Sequence, residues 1–316
     1  MRNQTRVAAL QLAAEVGNID ANLQMCAELT TRAVRDGAEW VVLPEFFSTG
    51  VANRPDLAQN APPPDGAPTV LLQDLARTHG IHTAGSTLVR DADGHVRNAY
   101  FLVGPDGVIK GRHDKDLPTA WESALYIGGT DAGRISLGDK TIGIAMCWEL
   151  MRTQTAARLA GQVDLVLGGS GWWSIPTLPP RPLTRWLERR NNIRAVNAPS
   201  VFAAYCGAPM VHAAHSGAVS CPLPLAGMVY GGHFAGGASV TAADGTVLAV
   251  RRRPEGPGFA IANITPGRQQ PRPLPDRFWL QQRGAVATLA WAYQNPWGRA
   301  QYRRSHGQQP FSRASG

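Results

Sequence analysis

Apolar and polar positions divide this chain into short strand-like runs and amphipathic helical segments. Arg6–Gln11 (RVAALQ) is a compact apolar run and predicts a first strand. Asp20–Arg35 repeats its apolar positions about every 3.6 residues, which predicts a helix with Asp20 as its N-cap. Trp40–Leu43 predicts a buried strand ending at Pro44-Glu45, and Thr69–Thr78 a helix stopped by Gly80. His82–Val89 and Asn98–Val103 predict strands joined through a turn at Asp91–Gly94. Ile135–Leu137 and Thr141–Met146 are strands around the Gly138-Asp139 turn, and the second runs into Cys147. Further on, the pattern predicts a helix at Thr153–Ala160, a strand at Val163–Leu167, a helix at Leu183–Asn197 and a strand at Val201–Tyr205. Gly237–Thr241 and Thr246–Val250 flank Asp244-Gly245 as a hairpin, and Phe259–Ile264 is the last strand. A PRPLPD linker then leads to a final helix at Phe278–Trp291. Most helices fall between strands, so the fold class is α/β, with layers around a common core.

Composition permits such a core. Hydrophobic residues make up 44% and charged residues 17%, which excludes global disorder. The net charge of +8 would suggest a polyanionic partner, but its distribution does not. Residues 251–316 carry a net +9 and residues 1–250 a net −1, so the basicity belongs to the C-terminal tail. Within it, residues 266–316 are expected to form an extension outside a main domain of residues 1–265. Its Trp279, Trp291 and Trp297 interleave with arginines, as in nucleic-acid or membrane-surface binders. The uncharged run Gly284–Trp291 instead favours burial against the body or a second subunit. The four cysteines lack metal-ligand or disulfide spacing, and no metal or cofactor is called for. No run of apolar residues is long enough to span a membrane, and the N-terminus reads as a strand rather than a signal peptide. The expected compartment is therefore the cytoplasm.

Candidate chemistry lies at the ends of strand-like runs. Glu45 follows Val41-Val42-Leu43-Pro44, Lys115 lies in Gly111–Pro118, and Cys147 follows Ile142–Met146. Only three lysines occur, Lys110, Lys115 and Lys140, so a lysine in a motif stands out. A thiol needs a base to become a nucleophile, a carboxylate can take its proton, and an ammonium with a backbone N–H can hold an oxyanion. Singly, each residue also fits a bland role: a buried cysteine, a solvated turn glutamate, a loop lysine. His212 and His215 read as structural.

Together the three contexts resemble the nitrilase superfamily, the carbon–nitrogen hydrolases. Leu43-Pro44-Glu45 is similar to that family's glutamate signature. Lys115–Thr119 with Glu122 and Tyr126–Gly129 is similar to its lysine signature, and Gly143–Glu149 (GIAMCWE) to its nucleophile elbow. The resemblance implies a four-layer αββα sandwich. Glu45 would be the general base and acid, Lys115 the oxyanion stabiliser and Cys147 the nucleophile. Glu122 would help to hold the lysine, and the Trp148 N–H would be the second oxyanion donor. Trp172 and Trp173 in GGSGWW would form an apolar wall for the acyl group, or pack in the core. His113-Asp114 stands where many members have an aromatic residue and an arginine, and Leu150-Met151 where nitrilases commonly have Asn and Pro. The implied activity is hydrolysis of a linear, non-peptide C–N bond through a cysteine thioester, of the amidase or N-carbamoyl amidase type. A nitrilase is the alternative. The implied partner is a small amide, carbamoyl or nitrile compound, and the implied assembly a homodimer or larger homo-oligomer.

Overall fold

The computed structural model describes residues 4–176, 179–224, 228–281 and 284–306. Its elements run β1 (Thr5–Leu12), α1 (Ile19–Arg35), β2 (Trp40–Val42), α2 (Pro55–Gln59), α3 (Ala67–His79), β3 (His82–Arg90), β4 (Val96–Val103) and β5 (Ile109–Asp114). Then follow β6 (Arg134–Leu137), β7 (Lys140–Ile144), α4 (Thr153–Leu159), β8 (Leu165–Ser170), α5 (Arg181–Cys206) and β9 (Met210–His215). The last are β10 (Ala218–Pro222), β11 (Val229–His233), β12 (Gly236–Thr241), β13 (Val247–Arg252), β14 (Gly258–Ile264) and α6 (Ala285–His306).

Pairing arranges most strands into two sheets joined at one corner. One runs β5-β4-β3-β2-β1-β14 and the other β6-β7-β8-β9-β12-β13, while Gln11 and Leu12 of β1 pair with β9 to join them. Alternation along the strands decides what each face buries. Val7, Ala9, Val42, Tyr100, Ile142, Leu165, Val211 and Val240 meet between the sheets. Ala8, Leu10, Val41 and Leu43 face the other way, against Cys26, Leu29 and Ala33 of α1 and Leu72 and Ala76 of α3. On the second sheet, Val166 and Met210 face Leu159 of α4 and Phe202 and Ala203 of α5. Two sheets with a helical layer outside each make the four-layer αββα sandwich that the resemblance implied.

Several local expectations are corrected. Val201–Tyr205 is not a strand: α5 continues through it, because Ala195, Ala198, Phe202, Ala203 and Cys206 recur at helical spacing on its buried face. The run VFAAY looks β-like only in isolation. The cap of α1 is Asn18, whose side chain accepts from Ala21 N, rather than Asp20. The final helix is Ala285–His306, so Phe278–Gly284 precede it in irregular or undescribed backbone. Four strands lacked a readable pattern: β5 is mostly charged, β9 carries two histidines, and β10 and β11 are short.

The C-terminal extension lies on the body. Leu280 and Tyr302 are buried, and the Tyr302 hydroxyl accepts from Val96 N at 3.1 Å. Trp291 and Trp297 pack against the apolar cluster of Ala120, Trp121 and Tyr126. Arg303 and Arg304 stay exposed. Among the described residues no helix is long and apolar enough to cross a membrane.

Candidate active site

The strand directions gather the predicted residues at one end of the sandwich. β2 and β9 both pair parallel with β1, and β7 and β8 continue parallel from β9, so these strands share one direction, which β5 regains after two antiparallel steps from β3. Their C-terminal ends therefore open on the same side, where α/β sheets place functional groups. Glu45 follows β2, Lys115 follows β5 and Cys147 follows β7. Glu122 lies in a short 3₁₀ helix, Ala120–Ala124, and Cys147 begins another, Cys147–Met151.

All four side chains are withdrawn from solvent, with Glu45 and Lys115 at 0% exposure and Glu122 and Cys147 at 3%. Lys115 Nζ donates to Glu45 Oε1 and Glu122 Oε2, both at 2.7 Å, and to Thr119 Oγ1 at 3.2 Å. Glu45 Oε1 also accepts from Asn98 Nδ2 at 3.0 Å, and its Oε2 from the Gly171 N–H at 3.2 Å. Glu122 Oε2 accepts in addition from the Tyr126 hydroxyl at 2.5 Å and Thr119 N at 3.0 Å. Burial disfavours the Lys115 ammonium, but Glu122 and Glu45 outweigh it and hold its pKa well above the ordinary lysine value. Burial pushes the Glu122 carboxyl up, against the pull of Lys115. It also pushes the Cys147 thiol well up, with Glu45 adding to the effect and Lys115 opposing it. Burial and the neighbouring Glu45 thus favour the protonated thiol.

The backbone is held tightly around these groups. Phe46, Ala120 and Cys147 have φ of 51°, 50° and 48°, and they are the non-glycine residues with positive φ among those described. Each adjoins or belongs to the cluster, and each conformation costs on the order of 1–3 kcal/mol that the surrounding packing must offset. Gly169 explains how β8 reaches the glutamate: a Cβ there would lie 2.7 Å from Pro44 Cα and 2.8 Å from Glu45 N. His215 Nε2 contacts the Glu45 carbonyl oxygen at 2.6 Å, and burial holds its imidazole neutral.

Trp148 follows Cys147 within the second 3₁₀ turn. Its ring stacks on Trp291 (5.7 Å, 15°) and lies 6.4 Å from Trp172. Trp172 Nε1 donates to Asn191 Oδ1. Trp173 is sandwiched between Trp121 at 4.7 Å and Tyr230 at 4.4 Å. The sequence reading missed Asn98, Tyr126, Gly171 and His215 as partners of the cluster. Asn98 carries a signal, as the one amide in the otherwise apolar run Asn98–Val103.

A second charge array, buried at His113 and Glu149, links the loop of Lys115 to the turn that begins at Cys147. Glu149 Oε1 accepts from Asp116 N and its Oε2 from Met146 N, both at 2.9 Å. His113 Nε2 lies 3.2 Å from Glu149 Oε1 and its Nδ1 2.5 Å from Asp131 Oδ1. Burial opposes the imidazolium, but Glu149 and Asp131 raise His113 to about 10. Burial likewise opposes the Glu149 carboxylate, but His113 lowers it to about 2. The histidine contribution to stability is complete below its ordinary value of 6.5 and fades as pH rises through about 10. The glutamate contribution is complete above its ordinary 4.5 and fades as pH falls through about 2. The denaturation midpoint is therefore expected to decline on the alkaline side above 6.5. His113→Gln should flatten that limb, and an unchanged alkaline limb would refute the assignment.

Comparison with known proteins places this geometry. A model of the carbon–nitrogen hydrolase family matches residues 6–273. A nitrilase of Pyrococcus abyssi is 29% identical over 200 residues, spanning 62% of this chain and 75% of the relative. An omega-amidase of Mus musculus is 27% identical over 186 residues, spanning 55% and 66%. Among solved structures, a carbon–nitrogen hydrolase from Helicobacter pylori G27 superposes with TM-score 0.68 at 19% identity, covering 84% of this chain and 90% of that one. An amidase of the nitrilase superfamily from Nesterenkonia AN1 gives 0.64 at 18% identity, covering 84% and 92%.

Proposed function

Because the chain belongs to the carbon–nitrogen hydrolase family, we propose that it is an amidase or N-carbamoyl amidase acting on a linear, non-peptide C–N bond. The observation that carries this reading is the buried bridge of Lys115 Nζ, 2.7 Å from both Glu45 and Glu122, with the Cys147 thiol buried close enough for Glu45 to raise its pKa. In this reading Cys147 Sγ attacks the carbonyl carbon while its proton passes to Glu45. Negative charge develops on the carbonyl oxygen, where the Lys115 ammonium and the Trp148 N–H stabilise it. Collapse of the tetrahedral species breaks the C–N bond, and Glu45 gives the proton to the departing ammonia or amine. Glu45 then takes a proton from water, which attacks the thioester. Cleavage of the C–S bond releases the carboxylic acid and returns the proton to Cys147.

Glu122 and Tyr126 hold the lysine, and Trp172 offers an apolar flank for the acyl group. A solved variant of the Nesterenkonia amidase carries the acetamide moiety of fluoroacetamide at its active-site cysteine, which supports covalent chemistry at Cys147. The likeness to the Pyrococcus abyssi nitrilase supports a second reading, in which the same residues hydrate a nitrile through a thioimidate.

Trapping with linear amides should give an acyl adduct on Cys147 and none on Cys26, Cys206 or Cys221. Peptide mass spectrometry locates the adduct, and one found on another cysteine would sink the reading. Ammonia release from matched amides and nitriles decides between the two substrates.

A further inference from the structure

The two 3₁₀ helices of the site are both gripped by the C-terminal extension. Just after Cys147–Met151, Thr153 N donates to Phe278 O at 3.0 Å and Leu280 N donates to Met151 O at 2.7 Å. The same segment sends Trp279 against Trp148, edge to face at 6.0 Å, and α6 stacks Trp291 on Trp148 at 5.7 Å. Trp279 and Trp291 also meet each other, at 6.4 Å. Further along, α6 seats on Ala120–Ala124. Ser123 Oγ donates to Asn295 O at 3.1 Å, and a Cβ at Gly298 would press on Ser123 Oγ and come within 2.9 Å of Ala124 N. Tyr302 fastens the far end of the helix to β4 through Val96 N. Both gripped turns contain a residue in the left-handed region, Ala120 and Cys147, so neither is held by its own backbone preference. The matched family region ends at residue 273, before any of these contacts from the extension begin.

We propose that residues 278–281 and 284–306 are an intramolecular brace that positions the Cys147 turn and the Glu122 turn relative to each other, with Trp279, Trp291 and Gly298 as positioning residues. This rests on the reading of Cys147 and Glu122 as active-site groups. The brace spans the gap that the chemistry must keep fixed. Cys147 has to meet the carbonyl carbon while Lys115, held by Glu122, meets its oxygen. Displacement of either turn by about 1 Å costs on the order of 100-fold in rate. The aromatic contacts suit this task because large flat rings bury much area with few rotatable bonds.

The test uses the full chain with Trp291→Ala, Trp291→Phe and Gly298→Ala. Alanine is a better helix former than glycine, so Gly298→Ala leaves α6 itself at least as stable while crowding its seat. Hydrogen exchange should show lost amide protection at residues 119–125 and 147–152 in both alanine variants, with the sheets still protected. With any substrate that the wild type turns over, kcat should fall at least about 10-fold while KM changes little, and Trp291→Phe should recover most of it. Unchanged protection at both turns overturns the brace, whether or not turnover is seen. Equal falls in protection across the whole fold also overturn it, since they mark general destabilisation. Failure of the active-site reading shows separately, as turnover that survives loss of the Cys147 thiol.

Discussion

Cys147→Ala is expected to remove turnover, with kcat lowered by at least about 10,000-fold and the unfolding midpoint nearly unchanged. The argument starts from the proton. The thiol is buried, its pKa is pushed up, and Glu45 is the acceptor beside it. Without sulfur there is no covalent intermediate, and direct attack by water must proceed on the remaining oxyanion stabilisation alone. Alanine keeps the left-handed backbone, with φ of 48° at this position, so the turn itself has no reason to rearrange. Initial rates on the best amide, alongside a denaturation curve, check both halves. Turnover within about 10-fold of wild type would remove the cysteine from the mechanism.

Lys115→Met has the largest expected effect on the fold. The methionine matches the stem but removes the cation from between two carboxylates. Glu45 and Glu122 would then face each other at almost no exposure. Breaking a buried ion pair by deleting one partner typically costs about 3–5 kcal/mol, because a charge is left uncompensated. Activity should fall by at least about 1,000-fold, since the oxyanion loses its ammonium and Glu45 loses its anchor. Adding Glu122→Gln removes one of the stranded charges. The double variant should regain part of the stability and none of the activity. Urea denaturation of both proteins measures the first effect. A Lys115→Met protein as stable as wild type would contradict the ionised bridge.

Much of the site could be read from the sequence because its residues follow strands buried on both faces, which appear as unbroken apolar runs. Val41-Val42-Leu43 and Ile142–Met146 are apolar runs that stop at a charged or nucleophilic residue, and the eye finds Glu45 and Cys147 there. Lys115 was visible through its neighbours in the motif, but its strand was not. Ile109–Asp114 is an edge-side strand with mixed polarity, and its inward residue His113 is buried only through charge pairing with Glu149 and Asp131. Asn98, Gly171 and His215, the other partners of Glu45, come from separate parts of the chain, so linear spacing does not link them to it. Gly171 and His215 act on Glu45 through backbone atoms or to its backbone, which composition cannot signal. Val201–Tyr205 misled for the opposite reason: a local β-like run was overridden by its place on a long amphipathic helix. The burial expected of Gly284–Trp291 is not what docks the extension: Leu289 is exposed, whereas Leu280, Asn295 and Tyr302, outside that run, are buried. Which surface it covers follows from the fit of Gly298 and Trp291 against the two short turns.

The scarcity of lysine has a practical side. Amine-reactive reagents require an exposed, deprotonated ammonium, and Lys115 meets neither condition at 0% exposure. The side chains of Lys110 and Lys140 are open to 27% and 45%. Within the lysine complement, acylating dyes and activated resins are thus directed to two positions on β5 and β7, away from the bridge between Glu45 and Glu122. The chain can be tethered or labelled through its amines with its buried chemistry left intact.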